Sequence, residues 1–244
     1  MLNSNQVENL REFQKHFAEL VNDIQDDIVI VTDADETLST EDTSQIFWKT
    51  HFGEQSWFDF KLGFDQVGRN YDGYSRAAHT YSAINKLEYN HYCEQSSKLV
   101  KLRYGWDDFI RSLTSVIVVT SGIKLLWQNV INLKCWSHVC LVGGNHASYD
   151  KYIVDPSIKL EVVKNLHALG KKVIAFGDSR IDSLMLKESD LGIVVVNARQ
   201  SPGLVEDLSE FTHIYQLQCE EEKLSILPLL TFEELIKKYT AGML

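Results

Sequence analysis

The sequence predicts an α/β fold: a Rossmann-like parallel sheet with helices on both faces, plus an inserted α-helical domain. Short aliphatic runs recur along the chain, and the first of them, Ile28 to Val31, has no polar face, which is typical of a strand buried on both sides. Helical stretches of roughly ten to fifteen residues separate the later runs and imply right-handed crossovers between parallel strands. A long aromatic stretch without proline separates the first run from the second. This change of composition indicates a separate helical insertion.

The composition narrows the class of partner. With 244 residues, of which 44% are hydrophobic and 24% are charged, the chain is long enough for one core, or for a core plus a smaller inserted domain. The formal net charge of -10 argues against nucleic acid or an anionic membrane as the main partner. An anionic small substrate would therefore need a local positive site.

The cysteines and the N-terminal segment predict a cytoplasmic protein. The four cysteines show neither the spacing of metal ligands nor the density of a disulfide framework, which favours a reducing compartment. The first 26 residues are polar and helical in pattern, unlike a signal peptide. No run approaches the roughly twenty apolar residues that a membrane span requires. The sequence makes no prediction about the oligomeric state.

Hydrophobic periodicity places the elements of the α/β part. Apolar residues at helical spacing predict an amphipathic helix over residues 4–24. We predict strands at about 27–33, 115–120, 139–142, 172–177, 191–196 and 213–217. We predict further helices from Gly122 to about Trp136 and at 157–169, 180–187 and 232–239, with a turn at 143–145. Pro156 suits the first turn of its helix, and Gly170 ends that helix.

Aromatic residues dominate the stretch from Glu41 to about Trp106, where β-branched runs are few. We predict helices there at 42–52, 72–87 and 88–103. The inserted helical domain is placed at residues 40–107, and the discontinuous α/β core at 1–39 and 108–244. Most of the aromatic side chains are expected to fill the core of the insertion, although its tyrosines and tryptophans could also stack on a ring.

Polar side chains stand at the ends of several predicted strands. Because the carboxyl ends of parallel strands meet at one edge of a sheet, we expect these side chains to lie close together. They are Asp33 and Asp35 after the first strand, Thr120 and Ser121 after the second, Lys159 in the helix that Pro156 opens, and Asp178 and Asp182 after the fourth strand.

Four segments, in this order, resemble the four motifs of the haloacid dehalogenase superfamily. They are Asp33-Ala-Asp35-Glu-Thr37-Leu38, Ser121-Gly122, Lys159, and Gly177-Asp178-Ser-Arg-Ile-Asp182. The helical insertion directly after the first motif resembles the cap domain of phosphoserine phosphatases and related phosphatases. The resemblance covers the α/β part of the chain and implies that this part is the catalytic core.

The chemistry that this resemblance implies is phosphoryl transfer through Asp33. A carboxylate is ionised at neutral pH, so Asp33 can attack phosphorus and form an aspartyl-phosphate without first losing a proton. Asp35 would be the general acid and base, which protonates the departing alkoxide and then takes a proton from the hydrolytic water. Two carboxylates this close tend to raise the pKa of one of them, which favours the acid role.

The resemblance also implies a phosphate-binding group and a magnesium ion. Ser121 and the Gly122 amide would bind phosphoryl oxygens, and Lys159 would supply positive charge. Magnesium prefers hard oxygen ligands. In this chain they would be Asp33, the backbone carbonyl of Asp35, Asp178 and, through water, Asp182.

Several of these assignments have alternatives in the sequence. The competing residues are Thr120 for Ser121, and Lys164 or Lys151 for Lys159. A cap or turn role is the alternative for Thr37, Ser121, Asp178 and Asp182.

The start of the insertion holds candidate specificity residues. Glu41 and Asp42 fall where phosphoserine phosphatases keep an acidic residue for the substrate amine, although Asp42 is equally suited to be a helix N-cap. Arg69, Arg76 and Lys61 could receive a second anionic group. The arginine-containing cap pattern of phosphoserine phosphatase is not recognisable here, so that enzyme's specificity is not carried over whole.

The leading hypothesis is a magnesium-dependent phosphomonoester hydrolase acting on a small phosphorylated metabolite. The alternatives are a phosphomutase or phosphotransferase with the same intermediate, and a non-catalytic phosphate-sensing or partner-binding protein. Asp35 and the large insertion argue against the non-catalytic class, since a phospho-acceptor requires neither. A dehalogenase is disfavoured because carbon–halogen cleavage needs neither a proton donor for an alkoxide nor a metal site.

Overall fold

The computed structural model describes residues 3–21, 24–144, 146–196, 201–217 and 227–240. Within these ranges the chain forms one seven-stranded sheet in the order β3-β2-β1-β4-β5-β6-β7. All neighbouring strands pair in parallel, which confirms the predicted sheet. The strands are β1 (Ile28–Asp33), β2 (Val116–Thr120), β3 (Val139–Gly143), β4 (Lys172–Gly177), β5 (Leu191–Val195), β6 (Ile214–Leu217) and β7 (Leu229–Leu230).

Helices cover both faces of the sheet and form the insertion. Those outside the insertion are α1 (Ser4–Val21), α5 (Trp106–Arg111), α6 (Lys124–Leu133), α7 (Pro156–Ala168), α8 (Ser183–Glu188), α9 (Ser201–Leu208) and α10 (Phe232–Thr240). Those of the insertion are α2 (Thr43–Val67), α3 (Tyr71–Ser82) and α4 (Lys86–Ser97).

Strand β1 lies at the centre of the sheet because its side chains are apolar on both faces. Val29 and Val31 join one buried cluster, and Ile30 joins the other. The first cluster includes side chains of α1, α7, α8 and α9, and the second includes side chains of α5, α6 and α10. The predicted arrangement of helices on both faces is therefore confirmed, and β1 delivers its last residue between β2 and β4.

The helices of the insertion pack through aromatic side chains. Phe47 of α2 contacts Tyr81 of α3 and Tyr89 of α4, with ring centroids 5.7 and 5.8 Å apart. These rings belong to the same buried cluster as Trp127 of α6. The prediction that aromatic residues form the core of the insertion is thus confirmed, and this core is continuous with one face of the sheet.

All three predicted helices in the insertion have wrong ends. The helix predicted at 72–87 ends at Ser82, because Asn85 then caps the start of α4 by accepting from the Leu87 amide. The helix predicted at 42–52 continues to Val67, because the left-handed backbone of Gly53 (φ 85°) only kinks it. The helix predicted at 88–103 ends at Ser97, because the chain that follows returns to the core beside the outgoing connection. There Ser39 forms an antiparallel bridge with Leu102.

Other elements were absent from the sequence prediction. They are α5, α9 and β7. The predicted helix at 180–187 begins as a short 3-10 turn over Arg180–Asp182 before α8. Asn145 of the predicted turn, and residues 219–226 and 241–244 of the C-terminal stretch to which no role was given, lie outside the described residues. None of the described helices combines the length and apolar character needed to cross a membrane.

The sequence alone predicted α10 but gave it no position. Its first residue, Phe232, packs against Trp106 and Phe109 of α5, with ring centroids 5.2 and 5.0 Å apart. Gly105, which precedes α5, has a left-handed backbone (φ 84°), and a Cβ there would lie 2.8 Å from the Phe232 ring. Gly170, at the end of α7, has a similar φ of 74° but no atom within 4 Å of a Cβ.

This pair of glycines gives a test of the C-terminal packing. Gly170→Ala should lower the free energy of unfolding by about 1 kcal/mol, the cost of a left-handed non-glycine residue. Gly105→Ala should cost about 1–3 kcal/mol more, because it adds overlap with the Phe232 ring. Urea unfolding of both variants measures the difference. Equal costs would contradict the placement of α10 against α5.

Candidate active site

The polar residues predicted at strand ends lie together at the carboxyl edge of the sheet. Asp33 is the last residue of β1, Thr120 is the last residue of β2, and Asp178 directly follows β4. Since β1 pairs with both β2 and β4, the first, second and fourth motifs become neighbours. Helix α7 then brings Lys159 to the same place.

Lys159 is the cation at the centre of this cluster. Its side chain is fully buried, and its ammonium group donates to Oδ1 of Asp33 and, at 2.7 Å, to Oδ1 of Asp182. Burial acts to lower the pKa of Lys159, but the charges of Asp182 and Asp33 raise it above its ordinary value. Lys159 is therefore held as a cation between two carboxylates.

Lys159 is well placed because of how α7 begins. The Asp155 side chain accepts hydrogen bonds from the amides of Ser157 and Ile158, and Pro156 occupies the first turn. The competing Lys164 faces solvent and pairs with Glu161 at 3.8 Å. Lys151 is also exposed. The structure therefore brings only Lys159, of these three, to the cluster.

Three carboxylates form the acidic part of this cluster. One oxygen from each of Asp33, Asp178 and Asp182 lies within 4.8 Å of the others. Burial raises the pKa of Asp33 to about 6, an effect that Lys159 opposes and Asp182 strengthens. Burial, followed by the charges of Asp182 and Asp33, raises the pKa of Asp178 well above its ordinary value. The Thr37 hydroxyl lies 3.0 Å from Asp178 Oδ1 and 3.2 Å from Asp33 Oδ2.

These carboxylates fit a hard divalent cation. The cluster offers buried oxygen ligands, which is the donor chemistry that Mg²⁺ takes in proteins. It holds three carboxylates and one lysine, and the pKa of Asp178 is raised first by burial and then by the neighbouring negative charges of Asp182 and Asp33. A cation bound among Asp33 and Asp178 would offset these negative charges.

Asp182 was predicted to hold the metal through water, and in the structure it also accepts hydrogen bonds from the protein. Its Oδ2 accepts hydrogen bonds from the amides of Asp178 and Ser179 at 3.2 and 3.1 Å, while Oδ1 accepts from Lys159. The side chain therefore fixes the loop after β4. A Cβ at Gly177 would overlap the Asp182 side chain, which explains the glycine before Asp178.

Asp35 has a different set of partners from Asp33. Its Oδ1 accepts from the Thr43 amide at 2.8 Å and from the Trp127 indole at 3.2 Å, and its Oδ2 lies 3.4 Å from the Thr120 hydroxyl. Burial, followed by the charge of Asp42, raises the pKa of Asp35 to about 7. The sequence prediction missed Trp127, because no local pattern links residues 92 positions apart.

Ser121 and Thr120 have separate positions after β2. The Thr120 hydroxyl accepts a hydrogen bond from the Gly122 amide at 2.9 Å, so each of these two groups already has a partner within the protein. The Ser121 hydroxyl is buried and has no hydrogen-bond partner among the described residues. A Cβ at Gly122 would overlap Oδ2 of Asp35. Of the two hydroxyls, that of Ser121 is the one available to a ligand.

A cavity of about 500 Å³ opens from this cluster toward the insertion. Asp42 and Arg69 line it, as does Lys61. Glu41 is exposed, and Arg76 lines a neighbouring cavity. Other residues also line the main cavity. The polar and charged ones include Glu36, Ser44, Gln45, Ser179 and Arg180, and the aromatic ones are Trp57, Phe60, Phe64, Tyr74 and Tyr81.

The Asp42 side chain caps a helix in addition to lining this cavity. It accepts from the Ser44 amide at 2.7 Å at the start of α2. The N-cap reading of the sequence is therefore confirmed for Asp42.

Comparison with known proteins gives one local sequence match and several similar folds. The profile of the haloacid dehalogenase-like hydrolase family matches residues 159–202. A search of curated proteins finds no match. Among solved structures, a phosphoserine phosphatase with a phospho-aspartyl intermediate analogue is 18% identical, with a TM-score of 0.54 over 73% of this chain and 90% of that chain.

Two further structures show the same fold at low identity. A substrate-bound phosphoserine phosphatase is 17% identical, with a TM-score of 0.54 over 75% of this chain and 90% of that chain. A haloacid dehalogenase family hydrolase from Salmonella enterica serovar Typhi is 14% identical, with a TM-score of 0.54 over 84% of this chain and 77% of that chain. Together, these matches show that the chain has the fold of phosphoserine phosphatases and of a haloacid dehalogenase family hydrolase, and that its residues 159–202 are similar to the haloacid dehalogenase-like hydrolase family.

Proposed function

We propose that the protein is a magnesium-dependent phosphomonoesterase that forms an aspartyl-phosphate on Asp33. The observation that carries this proposal is the separation of two neighbouring carboxylates. Asp33 contacts Lys159 within the acidic cluster, whereas Asp35 is held apart by Thr43 and Trp127. The two groups thus have the distinct environments that a nucleophile and a proton carrier require.

In the first step, a carboxylate oxygen of Asp33 forms a bond to phosphorus, and the bond from phosphorus to the alcohol oxygen breaks. Asp35 in its acid form gives its proton to the departing alkoxide. With a pKa of about 7, Asp35 is present in both the acid and the carboxylate form near neutral pH. Its donors, the Thr43 amide and the Trp127 indole, orient the carboxyl group.

In the second step, water attacks the phosphorus of the aspartyl-phosphate. Asp35, now a carboxylate, takes a proton from this water, and the bond between phosphorus and the Asp33 oxygen breaks. Inorganic phosphate leaves, and the Asp33 carboxylate is restored. A phosphotransferase would differ only in having an alcohol in place of the water.

The Ser121 hydroxyl and Lys159 would bind phosphoryl oxygens. The Gly122 amide would also bind one, after its hydrogen bond to the Thr120 hydroxyl is replaced by a hydrogen bond to the ligand. Magnesium would be held by Asp33, Asp178 and the Asp35 carbonyl, with Asp182 behind them, and would neutralise charge on the phosphoryl group.

Two of the similar structures are named phosphoserine phosphatases, which supports a small phosphomonoester as substrate. Residues 40–107 would act as the cap over a core of 1–39 and 108–244.

Hydrolysis of p-nitrophenyl phosphate tests this proposal. Activity should require Mg²⁺ and disappear with a chelator. Asp33→Asn should lower kcat by at least about 1000-fold because the nucleophile is lost, and Asp35→Asn by about 100- to 10,000-fold because general acid–base catalysis is lost. Asp108→Asn, an exposed carboxylate on α5, is the matched control and should keep full activity. Full activity in Asp33→Asn would refute the mechanism.

The metal site has a test that does not depend on turnover. At a hundredfold excess over Kd, Mg²⁺ should raise the melting temperature of the wild type by about 5 to 10 °C, since it binds only the folded state. Asp178→Asn should be no less stable than the wild type without metal, because a buried carboxylate with a strongly raised pKa is removed. This variant should gain little from Mg²⁺, while Asp108→Asn should gain as much as the wild type. An unchanged gain in Asp178→Asn would exclude Asp178 as a ligand.

A further inference from the structure

We propose that the alcohol part of the substrate carries a planar aromatic ring, which the aromatic side chains of the insertion bind beside the catalytic carboxylates. This inference rests on the proposed phosphomonoesterase function and adds the substrate class. It starts from the cavity of about 500 Å³, which has Asp33, Asp35 and Ser121 in its wall. Its volume lies in the range of pockets that enclose a whole small molecule.

Another part of the cavity wall is aromatic. Helix α2 contributes Trp57, Phe60 and Phe64, which recur at helical spacing and so share one face. Helix α3 contributes Tyr74 and Tyr81 in the same way. A ring bound here would meet aromatic side chains from two helices, in the offset or edge-to-face contacts that aromatic pairs prefer.

These aromatic side chains also pack against one another at angles that suit a planar ligand. The rings of Trp57 and Phe60 are nearly parallel, with an interplanar angle of 28° and centroids 6.0 Å apart. The rings of Phe64 and Tyr74 meet edge to face at 62° and 5.1 Å. Phe60 and Phe64 are only partly buried, so part of each ring remains uncovered by protein.

Three charged groups of the wall already have partners within the protein. Asp42 already accepts from the Ser44 amide, Lys61 pairs with Asp65, and Arg180 pairs with Asp207 at 3.1 Å. An ammonium and a carboxylate placed against this aromatic wall would lose water without equivalent partners. A ring, in contrast, gains from the loss of water.

The Tyr81 hydroxyl adds a polar atom to the aromatic wall. Tyr81 lines the cavity, and its buried hydroxyl makes no hydrogen bond among the described residues. Its polar neighbours are Ser44, another residue of the cavity wall, and Trp48, and the charge of Asp42 also acts on it. A nitrogen or a hydroxyl on the ring could satisfy this hydroxyl, which favours a heteroaromatic ring over a plain hydrocarbon.

A matched pair of substrates tests the inference on the wild type. Benzyl phosphate and cyclohexylmethyl phosphate both release a primary alcohol and differ chiefly in the aromaticity and planarity of the ring. The kcat/KM of benzyl phosphate should be about five-fold higher, the order expected from aromatic contacts. Phosphoserine and glycerol 3-phosphate should be at least about ten-fold poorer than benzyl phosphate, because they bury no ring.

Variants locate the preference on the aromatic wall. Phe64→Leu and Trp57→Leu should each raise KM for benzyl phosphate and abolish its advantage in kcat/KM over the cyclohexyl ester. Phe58→Leu is the matched control: it lies on the same helix, is 59% exposed and does not line the cavity. It should keep the preference. Tyr81→Phe should lower the ratio of kcat/KM for at least one pyridinylmethyl phosphate to kcat/KM for benzyl phosphate.

The outcomes separate this inference from the proposed function. Turnover with no preference for benzyl over cyclohexylmethyl phosphate, or with phosphoserine as the better substrate, would overturn the aromatic-ring inference and leave the phosphatase proposal intact. No turnover of any phosphomonoester, including p-nitrophenyl phosphate, would overturn both.

Discussion

The contact of Lys159 with Asp33 and Asp182 is the interaction on which the rest of this site depends. Three carboxylates lie within 4.8 Å of one another, and burying that charge without a cation would cost several kcal/mol per group. Lys159 is fully buried and offsets part of this cost through two hydrogen bonds. The first, third and fourth motifs are therefore joined by one side chain.

This constraint also explains features of the surrounding backbone. Asp155 and Pro156 begin α7 at the position that carries Lys159 to the sheet edge. Asp182 accepts from both Lys159 and the loop amides after β4, so the lysine and the loop that holds Asp178 are fixed together. The remaining excess of negative charge is what makes the cluster suited to a divalent cation.

Asp35 connects this cluster to the insertion. Its donors are the amide of Thr43, which begins α2, and the indole of Trp127, which belongs to the buried cluster shared with the insertion. A displacement of α2 would therefore change the hydrogen bonds of Asp35. In the proposed mechanism, the group that carries protons is thus the one tied to the element that would bind the substrate.

The sequence predicted the sheet and the carboxylate cluster well, because strands buried on both faces are continuously apolar and parallel strands end at one edge. It could not place Trp127 beside Asp35, since that contact depends on how α6 packs. It also could not separate Phe47, which fills the core, from Phe64, which lines the cavity, since both have helical spacing. The helix end at Val67 was missed because Gly53 kinks α2 without ending it.

The most direct test of this account is to identify the residue that becomes phosphorylated. The enzyme would be mixed with a phosphomonoester and Mg²⁺, quenched in acid within one turnover, reduced with borohydride, and mapped by peptide mass spectrometry. Borohydride converts an aspartyl-phosphate to homoserine, so the account predicts homoserine at position 33 and unmodified aspartate at position 35. Unmodified Asp33 in an enzyme that turns over, or modification at another residue, would contradict it.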